Sequence, residues 1–134
     1  MKKLSIAPTF LSPENYMIAK LPIAIDNHYV LQPLTRIIRL EADTYCTKIV
    51  TTDKTYVIAK NLGHYEKLLP EHSFLRVHNK HIVNLNFIHI INCKGHWCVE
   101  LVDKTVLQVS DKKQQLLLQK LGIKNEPLAA KAQP

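Results

Sequence analysis

Between Phe74 and Ile88 the sequence reads FLRVHNKHIVNLNFI, with Arg76, His78, Asn79, Lys80 and His81 crowded into six positions between two apolar runs. None of the five is acidic. Arg76 and Lys80 can neutralise phosphates, and Asn79 offers the paired donor and acceptor that match an adenine edge. A packing role competes for the same residues. Alternation sets Phe74 with Arg76 and His78, or Leu75 with Val77, on a common face, so the Arg76 stem can cover the core and His78 can bond to backbone. The surroundings suit a polyanion: from His72 to Val99 there is no Asp or Glu, while Arg76, Lys80, Lys94 and five of the seven histidines fall there. Over the whole chain Lys and Arg outnumber Asp and Glu by 18 to 11, giving a net charge of +7 and a pI near 9.4. Such an excess draws polyanionic partners over long range.

Other chemistries find less support. In HIINCKGHWC, a two-residue Lys94-Gly95 turn would pair Cys93 with His96 and Ile91 with Cys98. That register sets His89, Cys93, His96 and Cys98 on one face, a ligand set for zinc. The opposite face, Ile88, Ile90, Trp97, Val99 and Leu101, reads as the buried one, which leaves the Cys/His face as outer surface. The spacing matches no closed zinc motif, so neither metal nor cofactor is expected. Cys, His and Asp are all present, yet no nucleophile elbow or catalytic cysteine signature surrounds them. With 3 Gly in the chain, phosphate-cradling glycine loops are missing too. The expectation is a protein that is not an enzyme and takes no small-molecule substrate.

Length and composition bound the architecture. A chain of 134 residues, 46% hydrophobic and 22% charged, fits one globular domain able to bury a core without disulfides. Three cysteines without a CxxC pair suit a reducing compartment. No apolar run approaches the ~20 residues of a membrane span, and Pro8 and Pro13 break the apolar stretch that a secretory signal would need. A cytoplasmic location without membrane attachment follows as the expectation.

The elements that must position the basic segment come from period and turn chemistry. Residues 1–22, with Pro8, Pro13 and Pro22, read as an arm with one short turn near Pro13 to Lys20. IAI and YVLQPL flank Asp26, Asn27 and His28 as a hairpin. IIRLEAD alternates with period two, and CTKIVTT and TYVIAK, joined at Asp53-Lys54, form a second hairpin. Leu62, Tyr65, Leu68 and Leu69 then recur at helical spacing, with Asn61 as cap and Pro70 as stop. FLRV reads as a strand, NKHIVNLN as a turn or helical turn, FIHIINC as a strand, and HWCVELV and TVLQV as two more. Ser110 caps a last helix with Asp111 at its positive end, Leu117, Leu118 and Leu121 as its stripe, and Gly122 as its C′ residue. The domain is expected over 23–123, mainly β with two short helices, followed by a disordered tail at 124–134.

On these residues the chain resembles the LytTR family, the DNA-binding domains of LytR/AlgR-type bacterial response regulators in two-component systems. The family pattern F-x-R-x-H-[RKN]-S-[FYH]-[ILV]-[IV]-N is met by Phe74, Arg76, His78, Asn79, His81, Ile82, Val83 and Asn84. IIRLEADTYCTKIVTTD, KNLGHYEKLLPEHSF and LQVSDKKQQLLLQKL resemble further family stretches in order, so the likeness covers residues 23 to 122. It implies a LytTR-like domain of small sheets and hairpins that regulates transcription by reading double-stranded DNA with loops in the major groove. Three segments would approach the duplex: Thr47 and Lys48; Arg76, His78, Asn79 and Lys80; and Ser110, Asp111, Lys112 and Lys113. Two copies on a direct repeat would suit the family, as a homodimer on a repeated site.

The departures carry information. Lys80 replaces the usual serine, Thr44-Tyr45-Cys46 replaces G-N-Y, and Asp111 stands where an arginine usually faces the bases. A carboxylate there repels phosphates, although it can accept from a cytosine amino group. Residues 1–22 leave no room for the receiver domain that often precedes this family, so the expectation is an excised effector domain or a stand-alone regulator. Two alternatives stay open. One is a LytTR-like regulatory interaction module with weakened or lost DNA binding. The other is single-strand binding, for which Trp97 and a few scattered Tyr and Phe are poor stacking platforms.

Overall fold

The structure, a computed structural model of the 134-residue chain, describes residues 20–124. Residues 1–19 of the expected arm and 125–134 of the expected tail lie outside the described residues.

Four hairpins supply most of the domain. Strands β1 (Lys20–Ile25) and β2 (His28–Pro33) meet at Asp26-Asn27, where Asp26 adopts φ 51, a left-handed conformation that a short acidic side chain tolerates. β1 thus starts three residues before the expected first strand. β3 (Ile37–Asp43) and β4 (Cys46–Thr51) turn at Thr44-Tyr45, and Thr44 holds φ 52 despite its branched Cβ. Between β4 and β5 (Thr55–Ile58) the Thr51 hydroxyl donates to the Lys54 carbonyl and accepts from the Asp53 and Lys54 amides, which closes the turn. β6 (Phe74–His78) and β7 (His81–Asn84) meet at Asn79-Lys80.

Helix α1 (Leu62–Glu66) begins as expected, with the Asn61 side chain accepting from the His64 amide at 2.8 Å. After a 3-10 turn at Leu85–Phe87 come β8 (Ile88–Asn92), β9 (Cys98–Leu101) and β10 (Val106–Gln108). A 3-10 turn at Asp111–Lys113 leads into helix α2 (Gln114–Lys120). Gly122, at φ 74, ends α2 in a Schellman motif: its amide donates to the Gln119 carbonyl, and the Ile123 amide donates to the Leu118 carbonyl.

The strands form a five-stranded antiparallel sheet ordered β5-β4-β3-β7-β6, flanked by the β1-β2 pair and a three-stranded β10-β9-β8 sheet. Both faces of the five-stranded sheet are covered. Leu40, Ile49, Phe74 and Ile82 pack with Leu21 and Ile23 of β1 and with Leu62 and Tyr65 of α1. Ile38, Leu75, Val77 and Val83 pack on the opposite side with Val99, Leu101, Leu107 and Leu117. Neighbours in sequence therefore serve different cores: Ile37 and Ile38, Phe74 and Leu75, Ile82 and Val83. Strands buried on both faces read as apolar runs without alternation.

That burial explains the first correction. HIVN is not part of a turn but strand β7, lying between β3 and β6 in the sheet interior, and its unbroken apolar pair hid the strand. A second correction concerns the β8-β9 register. Ile91 pairs with Val99 and Asn92 with Cys98, because residues 93–97 make a longer loop than two residues and the ladder is irregular between Ile88 and Ile90. Ile88 and Ile91 pack inward as a result, while Ile90 is exposed. In α2 the inward stripe is Leu116, Leu117 and Leu121, with Leu117 fully buried.

Candidate nucleic-acid interface

Antiparallel pairing sets Glu41 of β3 opposite His81 of β7, so the turns Thr44-Tyr45 and Asn79-Lys80 emerge from the same end of the five-stranded sheet. The Ala42 amide donates to the Lys80 carbonyl at 2.9 Å and ties the two turns together. A third segment joins them. The Ser110 amide donates to the Val77 carbonyl at 2.8 Å, which holds the start of the last helix against β6. Three stretches far apart in sequence thereby form one edge.

Within that edge the Asn79-Lys80 peptide unit is gripped from both ends. Its carbonyl, on Asn79, accepts from Arg76 Nη2 at 2.6 Å and from Arg76 Nε at 3.2 Å. Its amide, on Lys80, donates to His78 Nδ1 at 3.2 Å. That bond assigns the remaining proton of a neutral His78 to Nε2. A peptide plane held at its oxygen and its nitrogen cannot rotate freely, while the Asn79 and Lys80 side chains stay exposed.

Below the tip lies a charged cluster on the face opposite Arg76. Arg39 donates to Glu41 at 2.6 Å, and this bond, against burial, holds the Glu41 carboxyl below its ordinary value of 4.5. His81 stands across the strand boundary from Glu41, its ring 5.7 Å from that of His78. Burial pushes His81 below its ordinary value of 6.5, with Glu41 pulling the other way. Its Nδ1 is buried without a hydrogen-bond partner among the described residues.

The ten sequence-derived residues divide by geometry. Asn79, Lys80, Asp111 and Lys112 are exposed, and Lys48, His78, Ser110 and Lys113 are partly so. Thr47 is corrected: it is fully buried, its hydroxyl donating to the Lys60 carbonyl at 2.7 Å, so it fastens β4 instead of facing a ligand. Arg76 is partly exposed, and its guanidinium also bonds Glu66 Oε1 at 3.0 Å and braces the turn. All three arginines of the chain sit in ion pairs: Arg36 with Asp53, Arg39 with Glu41, Arg76 with Glu66. Lysines remain as the unpaired cations at this edge among the described residues. Asp111 accepts from the Gln114 side chain at 3.2 Å, and Ser110 makes no side-chain cap bond.

Glu66, Arg39 and Glu41 escaped the sequence reading. Glu66 and Arg76 face each other only because α1 packs over β6, which no local pattern announces. A groove of about 320 Å³ lies where α1 and β6 meet the last helix and its leading 3-10 turn, bounded by Glu66, Arg76, Lys113 and Lys120. The Cys/His set on β8 and β9 does not converge: with Cys98 opposite Asn92, no group of three His, Cys, Asp or Glu side chains able to hold a metal occurs among the described residues. Nor is any described helix long and apolar enough to cross a membrane.

The family model of the LytTr DNA-binding domain matches residues 27–122. The sensory transduction protein LytR of Staphylococcus epidermidis is 33% identical over 108 residues, covering 77% of this chain and 42% of that protein. The heme-containing CO-sensing transcriptional regulator RcoM 1 of Paraburkholderia xenovorans is 33% identical over 106 residues, covering 78% of this chain and 36% of that protein. The chain thus spans less than half the length of these curated relatives. A LytTr DNA-binding domain from Bacillus cereus superposes with a TM-score of 0.66, covering 78% of this chain and 98% of that one. At 23% identity this likeness speaks for the fold alone.

Proposed function

The chain belongs to the LytTr DNA-binding domain family, and on that premise we propose that it is a transcriptional regulator of response-regulator type that reads a specific duplex DNA sequence. In this reading the end of the central sheet enters the major groove. Asn79 reads a base edge, Lys48, Lys80, Lys112 and Lys113 contact phosphates, and Arg76 and His78 brace the tip. The observation that carries it is the clamped Asn79-Lys80 peptide, which fixes the backbone from which two exposed polar side chains project. A rigid turn with outward polar side chains is what direct readout requires. The absence of a free arginine among the described residues argues against a bidentate guanine contact and for Asn79 as the reader. Binding as two copies on a repeated site, in the cytoplasm, belongs to the same proposal.

Asp111 favours a second reading. An exposed carboxylate at the start of the last helix repels phosphates, which suits a regulatory interaction module whose DNA face has weakened. Selection from a random duplex library, then titration of the winner and a scrambled control at two salt concentrations, separates the two. An enriched motif with a specific-to-random ratio of about 10³ or more supports sequence readout. Weak and equally salt-dependent binding of both duplexes rejects it and leaves the interaction module.

A further inference from the structure

Resting on the DNA-reading function above, we propose that Glu66, which stands on α1 away from the exposed tip, sets sequence specificity by positioning Arg76. The chain of contacts is short. Glu66 Oε1 accepts from Arg76 Nη1 at 3.0 Å, while Arg76 Nη2 and Nε both point at the Asn79 carbonyl, at 2.6 and 3.2 Å. A guanidinium is planar, so fixing one edge fixes the direction of the others. Glu66 holds one edge and thereby aims the remaining donors at the turn.

The turn needs that aim. His78 Nδ1 grips only the amide side of the Asn79-Lys80 peptide, from the face opposite Glu66. Without Glu66 the Arg76 side chain, about a quarter exposed at 28%, gains water-facing rotamers and its hold on the carbonyl loosens. The peptide plane then tilts, and the Asn79 side chain, which extends from it, leaves the geometry that a base edge demands. Phosphate contacts tolerate such tilting because a lysine acts as a flexible point charge. Loss of Glu66 therefore lowers discrimination between sequences without weakening the general attraction to DNA.

The charge of Glu66 makes the proposal separable from a merely structural role. Removing a carboxylate beside a basic edge strengthens non-specific attraction. In the full chain, Glu66→Ala should lower affinity for the selected duplex while random duplex binds as well as before or more tightly, reducing the specific-to-random ratio on the order of tenfold. Glu66→Gln keeps an oxygen acceptor for Arg76 and should retain most of the ratio. Thermal melting of both variants should match the parent, since the Glu66 carboxylate is 46% exposed. In the DNA-free Glu66→Ala protein the Lys80 amide resonance should shift.

An unchanged ratio in Glu66→Ala overturns the proposal, as does a parallel loss on both duplexes together with a lower melting temperature. If the parent chain itself shows no ratio above unity, the DNA-reading function fails first and this inference falls with it. A parent with a clear ratio and an indifferent Glu66→Ala sinks the inference alone.

Discussion

The side-chain amide of Asn84 donates to the carbonyl of Ile37 at 2.8 Å, joining the end of β7 to the start of its sheet neighbour β3. The same amide nitrogen lies 3.3 Å from the Leu34 carbonyl, and Asn84 Oδ1 accepts from the Asn86 amide at 3.0 Å. Asn84 is 1% exposed, so its bonds are made out of reach of water.

Asn84→Ala should therefore leave buried backbone groups unpaired and lower unfolding free energy by about 2–4 kcal/mol. Urea unfolding of the parent and variant measures it. A change below about 0.5 kcal/mol would mean that water replaces the lost bonds at no penalty.

Thr44 holds a left-handed φ where the LytTR pattern commonly has glycine, and its branched side chain is exposed in the β3-β4 turn. Thr44→Asn keeps a side chain but suits that backbone, so the expected gain is about 0.5–1 kcal/mol. A higher urea midpoint at unchanged slope is the confirming result; a lower midpoint would show that Thr44 contributes more than strain.

At the tip, Asn79→Ala and Lys80→Ala should separate. The first should weaken the selected duplex by about 1–3 kcal/mol and relax preference at one base pair. The second should weaken selected and random duplexes alike and lower the salt slope by about one. Equal losses on both duplexes for Asn79→Ala would remove it as a base reader.

Acid should destabilise the domain in two stages. His81 is depressed below 6.5 by burial, so the unfolded chain takes up that proton first, and stability is lost as pH falls from about 6.5 through the folded value. Glu41 is depressed by Arg39, so its contribution is present above 4.5 and lost as pH drops below it. Unfolding free energy measured between pH 7.5 and 4 should fall with acid, and His81→Gln should flatten the upper part of that curve. A profile unaffected by the substitution would show that His81 is not responsible.

Local signals in the sequence were reliable at several caps and turns, though not at Ser110, whose side chain makes no cap bond. The Asn61 cap, the Gly122 stop and the Asp53-Lys54 turn all sit where side-chain bonding or a positive φ dictates. The basic segment was legible as a unit, and its tip at Asn79 and Lys80 is exposed. What stayed hidden depends on topology. β7 looked like a turn because both its faces are covered, and the β8-β9 register shifted because a longer loop and an irregular ladder replaced an assumed two-residue turn. Thr47 matched a family position by order along the chain, yet strand parity turned it inward. The Glu66 partner of Arg76 comes from α1 and has no local signal in the basic segment.

The clamped Asn79-Lys80 turn also bears on how such a protein diverges. Its backbone is secured by Arg76, His78 and Ala42, while the two outward side chains belong to neither core. Changes of side chain at these positions are expected to cost little folding energy. If these two residues read DNA as proposed, a duplicated gene could acquire a new target through one or two codon changes, without passing through an unstable ancestor. Tip positions would then be the poorest markers of descent among copies, and the paired inward residues of the central sheet the most enduring.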